Sequence, residues 1–240
     1  MPNPTPNAPE HSFFRKCQEK VLLFDGGLGS MLQTYQLTED DFEGLEGCNE
    51  ILARTRPQVV QEIHAAYFEA GSDVVETNSF GSTGIVLAEY DIAEQAYDLN
   101  LRAARIAKEV AEDFTHNRGE RRPRFVAGSI GPTTKLPTLG HIGYDELKAA
   151  YVTQAQGLVD GGADMLLIET CQDLLQTKAA IAAVHQVRRT LNRYIPTMVQ
   201  VTIETTGSML VGMDIASVVT ALRPYDIDVL GMNCATGPQE

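Results

Sequence analysis

The chain has 240 residues and a formal net charge of -13 at pH 7, from 19 basic and 32 acidic side chains. This acidity argues against nucleic acid and against an anionic membrane surface as partners, because both require clustered Lys and Arg. No apolar run approaches the roughly 20 residues that cross a bilayer, and the start of the chain lacks the apolar segment of a signal peptide. We therefore expect a cytoplasmic protein with one main domain.

Residues 1–20 begin with many Pro and Asn residues and are expected to form a disordered tail, and residues 21–240 are expected to form the domain. From Val21 onward, short runs of Val, Ile and Leu alternate with amphipathic helical stretches. Six of these runs are predicted strands: VLLFDG from Val21, SDVVETN from Ser72, RFVAGSIG from Arg124, ADMLLIET from Ala163, TMVQVTIE from Thr197 and VLGMNC from Val229.

The helical stretches between these strands carry start and stop signals. Pro57 suits the first turn of a helix, and Gly71 is suited to end it. Asp145 is the predicted N-cap of a later helix, which is expected to end at Gly161. The order strand, helix, strand, helix is therefore sustained along the chain.

Nearly continuous apolar strands that alternate with helices indicate a parallel sheet buried on both faces. Such a sheet is either an open doubly wound sheet or a closed barrel. Each predicted strand ends in polar residues, which favours a barrel, because a barrel gathers all its strand ends around one mouth. The alternative is that strand ends are polar simply where they meet solvent. We expect a (β/α)8 TIM-type barrel truncated after about six βα units, either a fragment of a longer protein or a partial barrel that needs partners.

The glycine-rich turn LFDGGLGSML raises the question of phosphate binding. It lacks the third glycine of the dinucleotide fingerprint and the Gly-Lys-Ser/Thr of a P-loop, and Asp25 would repel a phosphate. A carboxylate beside free backbone N–H groups suits a different ligand, one that carries both an amine and a carboxylate.

Five segments in one order give a more specific signal: LFDGGLGSML, EAGSDVVETNSFG, AGSIGPT, GGADMLLIETCQD and GMNCATGP. From Val21 to Glu240 they resemble the signature segments of the homocysteine S-methyltransferases. They are most similar to the amino-terminal homocysteine-binding module of the cobalamin-dependent members. A single motif such as D-G-G or I-E-T is weak evidence for the family, but five segments in one order at the spacing of barrel strands are specific evidence. The resemblance also implies a (β/α)8 barrel.

The resemblance implies zinc-dependent methyl transfer to the thiol of homocysteine, which forms methionine. In this family three cysteines hold Zn²⁺. Cys234 matches the first, as metal ligand and catalytic residue, and the other two are expected beyond residue 240. Zinc deprotonates a bound thiol, which then attacks an activated methyl group, such as that of methylcobalamin on another domain. The implied partners are homocysteine and the folate- and cobalamin-binding modules of the same polypeptide, and the 240-residue chain alone is expected to be inactive.

By the same resemblance, Asp25 and Glu169 bind the ammonium group of homocysteine. The backbone amides around Gly26 and Gly27 bind its carboxylate. Each acid also has a plainer interpretation: Asp25 as part of an Asp-Gly turn, and Glu169 as a solvated acid at a strand end.

Thr77, Asn78 and Asn233 complete the expected substrate-binding residues. Hydrogen bonds that cap strands explain Thr77 and Asn78 nearly as well. The remaining thiols are interpreted as structural: Cys17, Cys48 and Cys171. Two histidines have no assigned role: His64 and His141.

Two other functions stay open at this point. One is methyl transfer to homocysteine from S-methylmethionine or a betaine, which differs from the first only in the donor. The other is a non-catalytic barrel piece that serves as an interaction module. The sequence beyond residue 240 distinguishes the donors, and zinc content tests the non-catalytic alternative.

Overall fold

The structure, a computed structural model, describes residues 11–118, 122–235 and 237. Its strands form one sheet in the order β1-β2-β3-β4-β5, with the bounds β1 Val74–Glu76, β2 Phe125–Ile130, β3 Met165–Cys171, β4 Thr197–Val201 and β5 Val229–Met232. The helices are α1 Ser12–Glu19, α2 Leu28–Leu32, α3 Leu52–Thr55, α4 Pro57–Ala70, α5 Gly84–Leu87, α6 Ala96–His116, α7 Tyr144–Asp160, α8 Leu174–Leu191 and α9 Ile215–Leu222.

Each strand pairs in parallel with the next strand along the chain. A helix connects each pair of neighbours, as parallel strands require. Five of the six predicted strands are thus confirmed, together with the α/β alternation. No helix in the described ranges is long and apolar enough to span a bilayer.

The first predicted strand, which begins at Val21, is much shorter in the structure than the sequence predicts. Only Phe24 forms a bridge, parallel to Val74. The segment does run beside β1, since the Asp25 N–H donates to the carbonyl of Val74 at 3.0 Å. Val21 and Leu23 are 84% and 59% exposed at this sheet edge, and the chain leaves the sheet right after Asp25.

The two faces of the sheet pack against different partners. One face contacts α6, α7 and α8 through the outer residues Val75, Val126, Leu166, Ile168 and Val199. The other, inner face carries a separate apolar cluster of Val74, Phe125, Ala127, Met165, Leu167 and Met198. This alternation follows from the period of two along a strand.

Helix α1 covers part of the inner face. Phe13 is 2% exposed, and its ring lies edge-on at 5.6 Å from the ring of Phe125. The expectation of a disordered tail is therefore wrong for Ser12–Glu19, because burial of an aromatic ring offsets the entropy cost of ordering the segment. Residues 1–10 lie outside the described residues.

The helix ends follow the sequence signals with one exception. Helix α4 begins at Pro57 and is ended by Gly71, whose φ of 118° favours glycine. The N-cap of α7 is Gly143, so the prediction of Asp145 as N-cap is wrong. Asp145 lies in the first turn of α7, where its negative charge faces the positive end of the helix dipole.

Candidate functional site

At the carboxyl end of the sheet, the inner face changes from apolar to polar. Glu76 follows Val74 by two residues, and so shares its face. In the same way Ser129 follows Ala127 on β2, and Glu169 follows Leu167 on β3. Parallel strands bring these ends to one edge, and the polar residues therefore form one layer above the inner apolar cluster.

Asp25 reaches this layer from the sheet edge. Its Oδ2 accepts a hydrogen bond from the N–H of Glu76 at 3.0 Å. Its Oδ1 is buried and has no hydrogen-bond partner among the described residues. Burial raises the pKa of Asp25 to about 7, and the negative charge of Glu169 contributes to the rise. Asp25 and Glu169 are therefore close enough to interact electrostatically.

Glu169 is more deeply buried, with 6% of its surface exposed. Its Oε1 accepts a hydrogen bond from the hydroxyl of Ser129 at 2.5 Å, and its Oε2 accepts one from Nδ2 of Asn233 at 3.4 Å. Burial raises the pKa of the Glu169 carboxyl, and the Ser129 hydrogen bond opposes this shift.

Glu76 is a third acid of the layer and is absent from the site residues expected from the sequence. Burial raises its pKa well above the usual range, and the charges of Glu169 and Asp25 raise it further. The available signal was its position: it ends β1, two residues after the inner-facing Val74.

No basic side chain in the described ranges forms an ion pair with any of these three acids. Burial raises the pKa of all three carboxyl groups, and the neighbouring negative charges raise the pKa of Asp25 and of Glu76 further. The arrangement suits a ligand that brings a positive charge.

Asn233 joins the ends of β3 and β5. Its Oδ1 accepts the N–H of Thr170 at 2.9 Å, and its Nδ2 donates to the Thr170 hydroxyl at 2.9 Å. The same Nδ2 lies 3.4 Å from Sγ of Cys234. Thr170 has a φ of 57°, which is rare for a β-branched residue. Asn233 thus holds a strained turn beside Glu169.

Cys234 lies at the end of β5 and is exposed. In the described part of the chain, no group of three His, Cys, Asp or Glu side chains is arranged to hold a metal ion. These residues alone therefore do not fit a zinc ion, which needs at least three protein ligands. Cys171 is fully buried, and burial raises the pKa of its thiol to about 12, which keeps it protonated.

Gly26 and Gly27 form the turn between Asp25 and α2. A Cβ at Gly26 would lie 2.9 Å from the hydroxyl oxygen of Tyr67, so a side chain there would clash with Tyr67. The Tyr67 hydroxyl donates to the carbonyl of Gly27 at 3.3 Å. The N–H groups of both glycines donate to no other described residue, which leaves them available to a carboxylate.

The other expected residues make hydrogen bonds within the protein. Thr77 Oγ1 accepts the N–H of Ser129 at 2.9 Å, and Asn78 Nδ2 donates to the carbonyl of Asn49 at 2.8 Å. His64 is fully buried, and burial lowers its pKa to about 4. His141 Nδ1 accepts the N–H of Leu136 at 3.3 Å within an exposed loop.

The sequence profile described as Homocysteine S-methyltransferase matches residues 22–240. The chain belongs to the homocysteine S-methyltransferase family. It is 50% identical over 222 residues to the methionine synthase of Mycobacterium leprae (strain TN), and equally to that of Mycobacterium tuberculosis (strain ATCC 25618 / H37Rv). These alignments cover 92% of this chain but only 18% of each relative.

Solved structures of the family share the fold. The metallated form of the homocysteine methyltransferase MmuM from Escherichia coli superposes with a TM-score of 0.76 at 21% identity. The match covers 92% of this chain and 77% of that chain. The apo form gives a TM-score of 0.71, also at 21% identity. At this identity the likeness concerns the fold alone.

Proposed function

We propose that this chain binds homocysteine at the carboxyl end of its sheet and presents the thiol for methylation, as the homocysteine-binding module of a methionine synthase. The main support is the pair Asp25 and Glu169. Glu169 is buried, Oδ1 of Asp25 is buried without a partner, and the charge of Glu169 raises the pKa of Asp25. Neither acid has a cation partner in the described chain. Family membership and the identity to two methionine synthases agree with this proposal.

In this proposal the carboxylates of Asp25 and Glu169 accept hydrogen bonds from the substrate ammonium group. The free N–H groups of Gly26 and Gly27 bind the substrate carboxylate. The thiol then extends toward Asn233 and Cys234. Asn233 positions Thr170 and the Glu169 carboxyl through its hydrogen bonds. Thr77 and Asn78 hold the backbone around the site through hydrogen bonds to Ser129 and Asn49.

The wider setting is also proposed. The strands present are part of an eight-stranded barrel, and the protein acts in the cytoplasm beside folate- and cobalamin-binding modules of the same polypeptide. The alignments cover only 18% of each methionine synthase relative, which supports the proposal of further modules in the same polypeptide. Zinc at Cys234 requires ligands other than the described residues.

Calorimetric titration of homocysteine into the intact protein that carries this sequence tests the proposal. Glu169→Gln is expected to weaken binding at least about tenfold, because a charged hydrogen bond to the ammonium group is lost. Glu146→Gln, at an exposed position of α7, is the matched control and is expected to bind as the unmodified protein does. Equal affinity in all three proteins contradicts the proposal.

A further inference from the structure

We propose that Glu76 is a third substrate-binding carboxyl group of this site, that it stays protonated, and that it accepts one N–H of the ammonium group while Asp25 and Glu169 accept the others. This inference rests on the proposed function. It assigns a role to an acid that lies within the segment EAGSDVVETNSFG but is not among the site residues expected from the sequence.

The backbone places Glu76 between the other two acids. Its own N–H donates to Asp25 Oδ2, which fixes Asp25 on one side of it. On the other side, Glu76 is paired in register with Ala127 of β2, two residues before Ser129. The Ser129 hydroxyl binds Glu169. All three carboxyl groups therefore belong to one polar layer on the inner face.

The hydrogen-bond donors are unevenly shared among the three acids. Asp25 receives a backbone N–H, and Glu169 receives a hydroxyl and an amide N–H. The side chain of Glu76 receives no donor from the part of the chain that the structure describes. Glu76 is half-buried, receives fewer donors from the described chain than the other two acids, and lies between them, so it is the least favourable of the three to ionise and keeps its proton. The raised pKa of Glu76 agrees with this assignment.

A protonated Glu76 matches the chemistry of the ligand. An ammonium group has three N–H donors, and three carboxyl groups offer one acceptor each. With Glu76 neutral, the site brings two negative charges to one positive charge rather than three. Its O–H also adds a donor to a layer in which Asp25 Oδ1 otherwise lacks one.

Two substitutions and two ligands test this role in the intact protein. Glu76→Gln keeps a carbonyl acceptor and N–H donors in the same shape, and is expected to bind homocysteine within about twofold of the unmodified protein. Glu76→Ala removes the acceptor and is expected to weaken homocysteine binding about tenfold. For 4-sulfanylbutanoate, which is homocysteine without its amine, Glu76→Ala is expected to change affinity by less than about twofold. Glu94→Ala, at an exposed position, is the control.

Three results overturn the inference. If Glu76→Gln weakens homocysteine binding as much as Glu169→Gln, then Glu76 acts as an ionised group. If Glu76→Ala binds homocysteine normally, Glu76 makes no contact that matters. If Glu76→Ala weakens both ligands equally, its role is structural. Glu76→Met repeats the test if the alanine variant does not fold. Failure of the unmodified protein to bind homocysteine overturns the proposed function itself, which separates the two claims.

Discussion

Both ends of the sheet contain buried acids, but only the acids at the amino end have cationic partners among the described residues. At the amino end, Asp73 accepts hydrogen bonds from Lys20 Nζ at 2.7 Å, from the N–H of Leu23 at 3.1 Å and from Arg122 Nη1 at 3.2 Å. Burial alone would raise the pKa of Asp73, yet these donors and charges lower it. At the carboxyl end, the pKa values of Asp25, Glu76 and Glu169 are all raised.

A second ion pair at the amino end follows the same rule. The side chain of Arg188 is 8% exposed and donates to Asp228 Oδ2 at 2.9 Å. The same oxygen accepts the N–H of Thr197 at 2.7 Å, and the guanidinium lies 4.9 Å from the centre of the Tyr194 ring. These contacts join α8 to the starts of β4 and β5.

Burial is similar at the two ends, since the side chain of Asp73 is 4% exposed and Glu169 as a residue is 6% exposed. The difference lies in the partner. An acid with a cation beside it has its buried charge compensated, and removing that cation destabilises the fold, whereas acids without one carry an unfavourable charge that a cationic ligand can relieve. We therefore expect the amino end to contribute to stability, and we propose that the carboxyl end binds the ligand.

The largest expected effect on stability comes from breaking an ion pair at the amino end. Arg188→Met leaves Asp228, whose side chain is only 11% exposed, without its cation and is expected to lower the free energy of unfolding by about 3 kcal/mol. Urea unfolding of the intact protein measures this loss. Arg102→Ala breaks the exposed pair with Asp98 and is expected to cost less than about 0.5 kcal/mol. Equal losses in the two variants would remove the distinction between buried and exposed pairs.

A smaller effect of opposite sign is expected at the carboxyl end. Because the pKa of Asp25 rises from 3.8 to about 7 on folding, its favourable contribution is complete below pH 3.8 and is lost as the pH rises through 7. Asp25→Asn keeps an acceptor for the Glu76 N–H and cannot ionise. Without ligand, the variant is expected to be more stable than the unmodified protein at pH 8, by on the order of 1 kcal/mol.

Urea unfolding at pH 5 and pH 8 measures this effect, and the gap between the two proteins should widen as the pH rises. The same variant is expected to bind homocysteine more weakly, so that stability and binding change in opposite directions. A variant that is less stable at pH 8 shows instead that the ionised carboxylate of Asp25 helps to hold the fold.

The sequence predicted the parts of the fold that depend on local pattern. Runs of Val, Ile and Leu located five strands, and Pro57 and Gly71 located both ends of α4. The packing of α1 was missed because Phe13 gains its burial from Phe125, a contact between residues distant in sequence. The N-cap of α7 was missed because local backbone angles, rather than residue type, placed it at Gly143.

For the candidate site, the resemblance to the family predicted Asp25 and Glu169 as substrate-binding residues but not Glu76. Glu76, Thr77 and Asn78 are consecutive polar residues, and the pattern alone does not say which of them faces inward. The start of β1 at Val74 decides this, because it puts Glu76 on the inner face with the other two acids. The absence of a cation beside them in the described chain is a property of the assembled sheet and could not be read from composition.

A crystal structure of the intact protein with homocysteine bound shows whether the unpaired acids at the carboxyl end hold the substrate ammonium group. We expect the ammonium nitrogen within about 3 Å of carboxyl oxygens of both Asp25 and Glu169, with the substrate carboxylate at the N–H groups of Gly26 and Gly27. A ligand whose ammonium group points to solvent, or that binds away from these acids, contradicts this expectation.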